Sequence, residues 1–258
     1  MNLNIIKKIM QKKEFSQLPK KDAEMAFEKF ENRQTSDEEK IKLTRDLLRK
    51  VYFSFGSHKL LNIRDKSPEW ILKKHFSTKE RFPYYKEVYR RVLTGLNKKI
   101  SVIDLGAGVN GFSYSYFKQI GREVDYNAVE AVGQLVEITN YYFVKNNLVQ
   151  KAEIHHLSLF ELEKLKELVR KIKKPKVIFL LKVIDSLEML KRDFSKELLK
   201  EITPLADLVV ASFATRSLVR RERFAVSRKW ILDFINKEFK ILDDFEFGGE
   251  RYIVFKPK

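Results

Sequence analysis

The stretch Val102-Ile103-Asp104-Leu105-Gly106-Ala107-Gly108-Val109-Asn110-Gly111 decides how this chain folds. A short apolar run is followed at once by glycines with the spacing G-x-G-x-x-G. This order is typical of a buried β-strand that turns tightly into a helix, where glycine allows a positive φ and a ligand can approach the backbone closely. The motif is weak alone, but an acid, Glu130, ends the next apolar run, where it can accept hydrogen bonds from ribose hydroxyls. Together the two features indicate a site for a nucleoside cofactor.

Short apolar runs after residue 98 alternate with helix-length amphipathic stretches such as residues 160–172 and 186–202. Such alternation predicts a parallel β-sheet whose strands are joined by crossover helices. The predicted strands are residues 100–105, 124–130, 152–156, 177–181 and 208–213.

The end of the chain breaks this rhythm. Residues 239–247 and 250–255 are two strand-like segments joined by Gly248 and Gly249. A two-residue Gly-Gly link predicts a tight antiparallel hairpin. A doubly wound sheet that finishes in such a hairpin resembles the Rossmann-like sheet of class I methyltransferases. We therefore predict an α/β domain of this type over residues 98–258.

The first 97 residues follow a different pattern. Apolar residues recur at intervals of three and four, as at Leu43, Leu47 and Val51, and no strand-like alternation interrupts them. The pair Ser67-Pro68 marks a helix start. We predict an all-helical N-terminal domain over residues 1–97.

The net charge of +17 indicates a protein that binds a polyanion. Residues 1–100 carry 25 Lys and Arg against 13 Asp and Glu, an excess of 12 positive charges. We interpret the N-terminal helices as a region that docks on RNA. A solvated surface of a lysine-rich protein is the alternative interpretation.

Composition also excludes several kinds of site. The chain has no cysteine, so disulfides, thiolate metal clusters and a cysteine nucleophile are excluded. His155 and His156 are neighbours on a predicted strand and point to opposite faces, so we expect no metal site. No apolar run approaches the length of a membrane span, and charge follows too soon after Met1 for a signal peptide. We expect a cytoplasmic protein.

Asp104, immediately before the glycines, narrows the choice of cofactor. A carboxylate beside a diphosphate is repelled. S-adenosylmethionine carries an ammonium and a sulfonium centre and no phosphate, so this position favours it over NAD. An Asp that merely ties the loop by accepting backbone hydrogen bonds is the alternative interpretation.

Three further stretches carry a specific resemblance. They are His75-Phe76-Ser77-Thr78-Lys79-Glu80-Arg81, Phe179-Leu180-Leu181-Lys182 and Ser212-Phe213-Ala214-Thr215-Arg216-Ser217-Leu218. With the glycine loop, in this order and spacing, they resemble the aminoglycoside-resistance 16S rRNA methyltransferases of the Arm (Rmt/Kgm) type. The resemblance runs from about residue 40 to the C terminus. It implies methyl transfer from S-adenosylmethionine to N7 of a guanosine in the decoding site of the 30S subunit. We also expect a monomer.

The resemblance implies roles for individual residues. Arg81 would bind the cofactor carboxylate and Glu130 the ribose, so we expect alanine at either position to weaken cofactor binding without unfolding the protein. The other predicted cofactor-binding residues are His75, Ser77, Asp104, Gly106, Ala107, Gly108, Ala131, Ser158 and Leu159, of which the last two would border the adenine. Ser77 and Glu80 also fit a helix capping box with Ser77 as the N-cap.

Two residues at strand ends are candidates for holding the target base. N7 of guanine has a free lone pair, so the enzyme must mainly position the base and exclude water. Lys182 can contact the guanine edge or a phosphate, and Phe213 can stack on the base. A solvated lysine and a buried core phenylalanine are the respective alternatives.

A basic segment follows the fifth predicted strand. Residues 216–229 hold six basic residues and one acidic residue, which suits contacts with RNA phosphates. The alternative is a solvated helix start. The predicted RNA-binding residues are Arg216, Arg220, Arg221, Arg223 and Arg228.

Three functions remain open at this stage. The first is the 16S rRNA guanine-N7 methyltransferase, the second a methyltransferase acting on tRNA or another rRNA site, and the third a non-catalytic RNA-binding relative. Under the first, we expect removal of residues 1–66 to leave cofactor binding largely intact and to abolish methylation of 30S subunits.

Overall fold

A seven-stranded sheet forms the centre of the computed structural model, which describes residues 3–53, 66–215 and 228–258. The strand order is β3-β2-β1-β4-β5-β7-β6. The strands are β1 (Lys99–Leu105), β2 (Glu123–Glu130), β3 (Ala152–His156), β4 (Lys176–Leu181), β5 (Leu208–Ala214), β6 (Lys240–Phe247) and β7 (Glu250–Lys256).

The first five strands pair in parallel. Every residue of β4 and all but the first of β1 are buried, as expected of parallel strands that are covered on both faces. The last two strands are antiparallel, with β7 inserted between β5 and β6. Gly248 and Gly249 form the hairpin turn with φ of 60° and 84°, values that favour glycine. The α/β fold with its antiparallel hairpin, predicted from the sequence, is confirmed.

Short helices make up the N-terminal region. Ser36 and Ser67 cap the third and fourth helices by accepting hydrogen bonds from the backbone N–H groups of Glu39 and Trp70. The helices are α1 (Leu3–Met10), α2 (Lys20–Glu31), α3 (Asp37–Leu48), which continues into a π-helical turn (Arg49–Phe53), α4 (Pro68–Lys74), α5 (Phe76–Arg81) and α6 (Tyr85–Val92), with a 3-10 turn (Phe82–Tyr84) before α6.

The remaining helices connect the strands. They are α7 (Ser115–Gln119), α8 (Gly133–Lys145), α9 (Leu162–Lys171), α10 (Ile184–Leu190), α11 (Phe194–Ile202) and α12 (Lys229–Glu238). Within the described residues, no helix is both long and apolar enough to cross a membrane.

The N-terminal helices share one hydrophobic core with the sheet. Ile9, Phe15 and Phe27 are completely or almost completely buried in the same cluster as the residues of β1 and β4. The helical region therefore packs directly on the α/β part. A domain boundary between residues 97 and 98 remains a prediction, and β1 begins at Lys99.

The predicted capping box at Ser77 is wrong. Helix α5 begins two residues earlier than that capping box requires, at Phe76, with His75 at the N-cap position. The carbonyl of His75 accepts hydrogen bonds from the backbone of Thr78 and Lys79. Ser77 therefore lies inside the helix, and Glu80 pairs with Lys182 instead of capping it.

Candidate active site

A cavity lies at the carboxyl edge of the parallel strands, the edge where open α/β sheets bind ligands. It brings together every predicted cofactor-binding residue except Ser158, and it also includes Lys182. Further residues that line it were not predicted from the sequence; they are Asp22, Val51, Tyr52, Thr78, Asn110, Leu135, Phe160, Leu181, Val183, Ser186 and Leu187.

The glycine loop forms the floor of this cavity. Gly106 and Gly108 have φ of 70° and 54°, and the backbone N–H of Gly106 donates to the carbonyl of Val129 at 2.9 Å. A Cβ on Gly106 would lie 2.6 Å from Cγ2 of Val183, a contact that real Cβ atoms do not make. Both the conformation and the space at Gly106 therefore require glycine.

Glu130 holds the glycine loop from the end of β2. Its Oε2 accepts from the backbone N–H of Gly108 at 2.7 Å, and its Oε1 accepts from Val132 at 2.8 Å. Burial raises the pKa of this carboxyl group, and the backbone hydrogen bonds oppose that rise. A carboxylate has about four acceptor positions, so acceptor capacity remains for a hydroxyl group of a ligand.

Asp104 is buried beneath the loop. Its Oδ2 accepts from Asn110 Nδ2 at 2.7 Å and from the hydroxyl of Tyr126 at 2.6 Å. Burial raises its pKa, and both hydrogen bonds act in the opposite direction. Asp104 thus has side-chain partners, so the alternative in which it merely ties backbone N–H groups does not describe it.

Arg81 lies in a fully buried ionic network. Its guanidinium donates to Glu250 Oε1 at 2.6 Å, to Asn110 Oδ1 at 3.1 Å and to the hydroxyl of Tyr252 at 3.3 Å. Burial would raise the pKa of Glu250, but Arg81 and then Lys182 hold it below its usual range. These bonds do not use all five N–H groups of Arg81, and Arg81 lines the cavity, so it can still donate to an anionic group there.

The same network includes Lys182. This residue has φ of 60°, in the left-handed region, and its backbone N–H donates to the carbonyl of Ser212 at 3.2 Å. Its ammonium pairs with Glu80 and lies 3.3 Å from Oε2 of Glu250. The side chain is 2% exposed, so the alternative of a solvated lysine does not describe it.

Residues 62–233, two thirds of the chain, match the family described as "Ribosomal RNA methyltransferase (FmrO)". The chain belongs to this family. The methyltransferase activity toward ribosomal RNA predicted from the sequence, and its cofactor S-adenosyl-L-methionine, are thereby confirmed at the level of the family. A comparison with curated proteins finds no match.

Solved structures of rRNA methyltransferases share the fold of this family member. The 16S rRNA methyltransferase RmtF in complex with S-adenosyl-L-homocysteine is 18% identical, with a TM-score of 0.79 and full coverage of both chains. The 16S rRNA methylase RmtB is 16% identical, with a TM-score of 0.76 over 100% of this chain and 99% of that one. The 16S rRNA methylase ArmA is 22% identical, with a TM-score of 0.58 over 78% and 97%.

The N-terminal helices contribute directly to the cavity of this methyltransferase. Asp22 lines the cavity, and the hydroxyl of the buried Ser158 donates to it, so Ser158 lies behind Asp22 and does not itself line the cavity. Val51 and Tyr52 line the same end. Removal of residues 1–66 would take away part of the cavity wall. We therefore expect this deletion to weaken cofactor binding, contrary to the prediction from sequence.

Two residues that were predicted to contact the substrate, Phe213 and Arg228, do not line the cavity of the methyltransferase. Phe213 is 2% exposed, does not line the cavity and lies under the guanidinium of Arg228 at 5.5 Å. This position favours the core alternative for Phe213. Arg228 itself pairs with Asp185 at 2.7 Å and donates to the carbonyl of Ala214. The predicted RNA contacts Arg216, Arg220, Arg221 and Arg223 lie outside the described residues.

We expect Gly106→Ala to cost stability and cofactor affinity together. The left-handed backbone costs an L-residue about 1 to 2 kcal/mol, and the contact with Val183 adds strain in the loop. Gly121→Ala is the matched control, because Gly121 has φ of 77° and open space around its Cβ position. Calorimetry should show at least about a tenfold loss of S-adenosylhomocysteine affinity for the first variant only. Equal affinity of both variants would contradict this description of the loop.

We expect the free energy of unfolding to depend on His75 below neutral pH. Burial and the positive charges of Arg81 and Lys182 lower the pKa of His75 from 6.5 to about 3. The contribution of the neutral imidazole to stability is fully present above pH 6.5, where His75 is also neutral in the unfolded chain. It is lost as the pH falls toward 3, by about 1.4 kcal/mol per pH unit. Denaturant titrations should show that the free energy of unfolding falls less steeply with decreasing pH in His75→Gln than in the wild type. Identical pH profiles of the two proteins would show that the imidazole becomes protonated in the folded wild type.

Proposed function

We propose that this protein transfers the methyl group of S-adenosyl-L-methionine to N7 of a guanosine in 16S rRNA, within the decoding site of the 30S subunit. The observation that carries the proposal is the cavity at the carboxyl edge of the sheet, where the glycine loop meets residues of two of the stretches that resemble the Arm (Rmt/Kgm) methyltransferases, 75–81 and 179–182. Modification of that site would confer resistance to aminoglycosides.

The residues of the cavity fit this cofactor. Arg81 has N–H groups left for a carboxylate, and Glu130 has acceptor positions left for ribose hydroxyls. The buried carboxylate of Asp104 favours a ligand with positive charge and without phosphate. The cofactor, when bound, supplies an electrophilic methyl group.

The residues of the protein have little acid-base chemistry to perform at N7. The nitrogen attacks with a lone pair that is already free, so positioning and exclusion of water lower the barrier. Lys182 is held at the cavity by Glu80 and Glu250. We assign to it the positioning of the base or a neighbouring phosphate. The absence of cysteine in the sequence excludes the thiolate addition used for C5 of pyrimidines.

A different RNA target is the second candidate function. The same cofactor site would serve a methyltransferase that acts on tRNA or on another rRNA position. The glycine loop, Asp104 and Glu130, which together line the cavity, argue against a non-catalytic RNA-binding relative.

Transfer of labelled methyl groups tests the proposal and separates these candidates. Intact 30S subunits, 50S subunits, naked 16S rRNA and bulk tRNA should be incubated with the protein and methyl-labelled cofactor. We expect incorporation into 30S subunits and little or none into the others. Labelling of tRNA or 50S subunits alone would support the second candidate, and no labelling of any RNA despite cofactor binding would support the non-catalytic relative.

A further inference from the structure

A buried carboxylate reaches the cavity from outside the sheet. Asp22, in the first turn of α2, is completely buried and lines the cavity. The hydroxyl of Tyr52 donates to its Oδ2 at 2.5 Å, and the hydroxyl of Ser158 donates to its Oδ1. The neighbouring ammonium of Lys21 donates instead to the carbonyl of Phe160, at 2.9 Å.

These contacts leave acceptor capacity on Asp22. A buried carboxyl group is costly unless it is well supplied with hydrogen bonds, and two hydroxyl donors fill about half of its acceptor positions. Burial accordingly raises the pKa of Asp22, while Ser158 and Tyr52 act in the opposite direction. A ligand that presents an N–H donor at this point would supply the missing hydrogen bond.

The surroundings of Asp22 restrict what that ligand group can be. Several apolar side chains line the cavity together with Asp22, and apolar walls suit a flat aromatic ring better than a sugar or an amino acid. Glu130, with its free acceptor positions, lies at the glycine loop and suits ribose hydroxyls. The apolar residues that line the cavity with Asp22 include Val51, Leu135, Leu159, Phe160 and Leu187.

We propose that Asp22 accepts a hydrogen bond from the exocyclic amino group of the cofactor's adenine, and that the N-terminal helices therefore form part of the cofactor site. This inference rests on the proposed function, because it requires an adenine nucleoside in the cavity. The amino group is the hydrogen-bond donor of the adenine ring, and a carboxylate held by two hydroxyl groups is an acceptor for it. Asp22 is then a specificity-determining residue for the base of the cofactor.

The competing role for Asp22 is purely structural. Its hydrogen bond with Ser158 ties α2 to the loop after β3, and an acid in the first turn of a helix is favourable in any case. Loss of such a tie would weaken the binding of every nucleoside to a similar degree. A ratio of two affinities therefore separates the two roles.

S-adenosylhomocysteine and S-inosylhomocysteine are the two probes, since hypoxanthine replaces the donor amino group with an acceptor oxygen. Calorimetry should be run with the full-length wild type, with Asp22→Asn and with Ser158→Ala. We expect the wild type to prefer the adenine compound by at least about tenfold. Asp22→Asn, whose amide can donate to the oxygen, should lose about tenfold or more of that preference. Ser158→Ala should retain it, even where both affinities fall.

Two outcomes would overturn the inference. One is a wild type that binds both compounds equally, which needs no variant to fold. The other is an Asp22→Asn variant with the same preference as the wild type. Either outcome leaves the proposed function intact, because S-adenosylhomocysteine still binds. A wild type that binds neither compound would instead overturn the proposed function and this inference with it.

Discussion

Arg81→Ala should lower the free energy of unfolding by about 3 to 5 kcal/mol and abolish methyl transfer. Removal of one partner from a buried ion pair leaves the other charge without compensation, and Glu250 is completely buried. The structure thus corrects the expectation from sequence that alanine at this position spares the fold. Urea titration without cofactor measures the first effect, and labelled methyl transfer measures the second.

Two further variants separate effects on stability from effects on cofactor binding. Arg91→Ala is a matched control, because Arg91 pairs with Asp243 at 2.8 Å on the surface, where loss of an ion pair has little effect on stability. Arg81→Lys retains the charge but lacks the planar fork that meets Glu250, Asn110 and a ligand carboxylate at once. It should fold and still bind S-adenosylhomocysteine at least about tenfold more weakly. Wild-type stability of Arg81→Ala would contradict the buried network described here.

Replacement of four lysines at the N terminus should reduce 30S binding strongly without affecting cofactor binding. Lys7, Lys8, Lys12 and Lys13 are exposed on and just after α1, beside the buried residues that anchor this helix. Each phosphate that is no longer neutralised should reduce the steepness of log affinity against log salt by about 0.9 or somewhat less. The quadruple Lys→Gln variant should therefore bind 30S subunits about 100-fold more weakly at low salt.

The control for this variant carries the same change in charge elsewhere. Lys237, Lys240, Lys256 and Lys258 are exposed around the edge strand β6 and the end of β7. Their replacement by glutamine should leave 30S binding and its salt dependence near wild type. An equal loss of 30S affinity in both quadruple variants would show that overall charge matters and that the N-terminal helices are no specific docking region.

The strands could be predicted closely from local pattern. The predicted strands 124–130 and 177–181 differ from the observed Glu123–Glu130 and Lys176–Leu181 by one residue at their first end. Apolar runs bounded by turn residues are local signals, and the Gly-Gly link fixed the hairpin in the same way. The predicted helical nature of residues before 97 is likewise confirmed where the structure describes them.

The partners of the site residues could not be predicted. Arg81 was identified from a motif, but Glu250 lies 169 positions away on the last strand, and no local pattern links the two. The same holds for Asp22 and Ser158, which are 136 positions apart and meet because α2 packs on the loop after β3. Burial contradicts only the solvated alternative for Lys182, and a lysine at a strand end gives no sequence signal of the two acids that pair with it.

The identity of the modified nucleotide tests the proposed function most directly. Wild-type protein should be incubated with 30S subunits and S-adenosylmethionine, and the 16S rRNA then treated with borohydride and aniline, which cleave the strand at N7-methylguanosine. Primer extension locates the cleavage. We predict a single new stop at one guanosine of the decoding site, which depends on cofactor and, at limiting cofactor, is weaker with Arg81→Lys. A methylated nucleotide outside the decoding site, or methyl groups incorporated without cleavage at any guanosine, would contradict the proposed function.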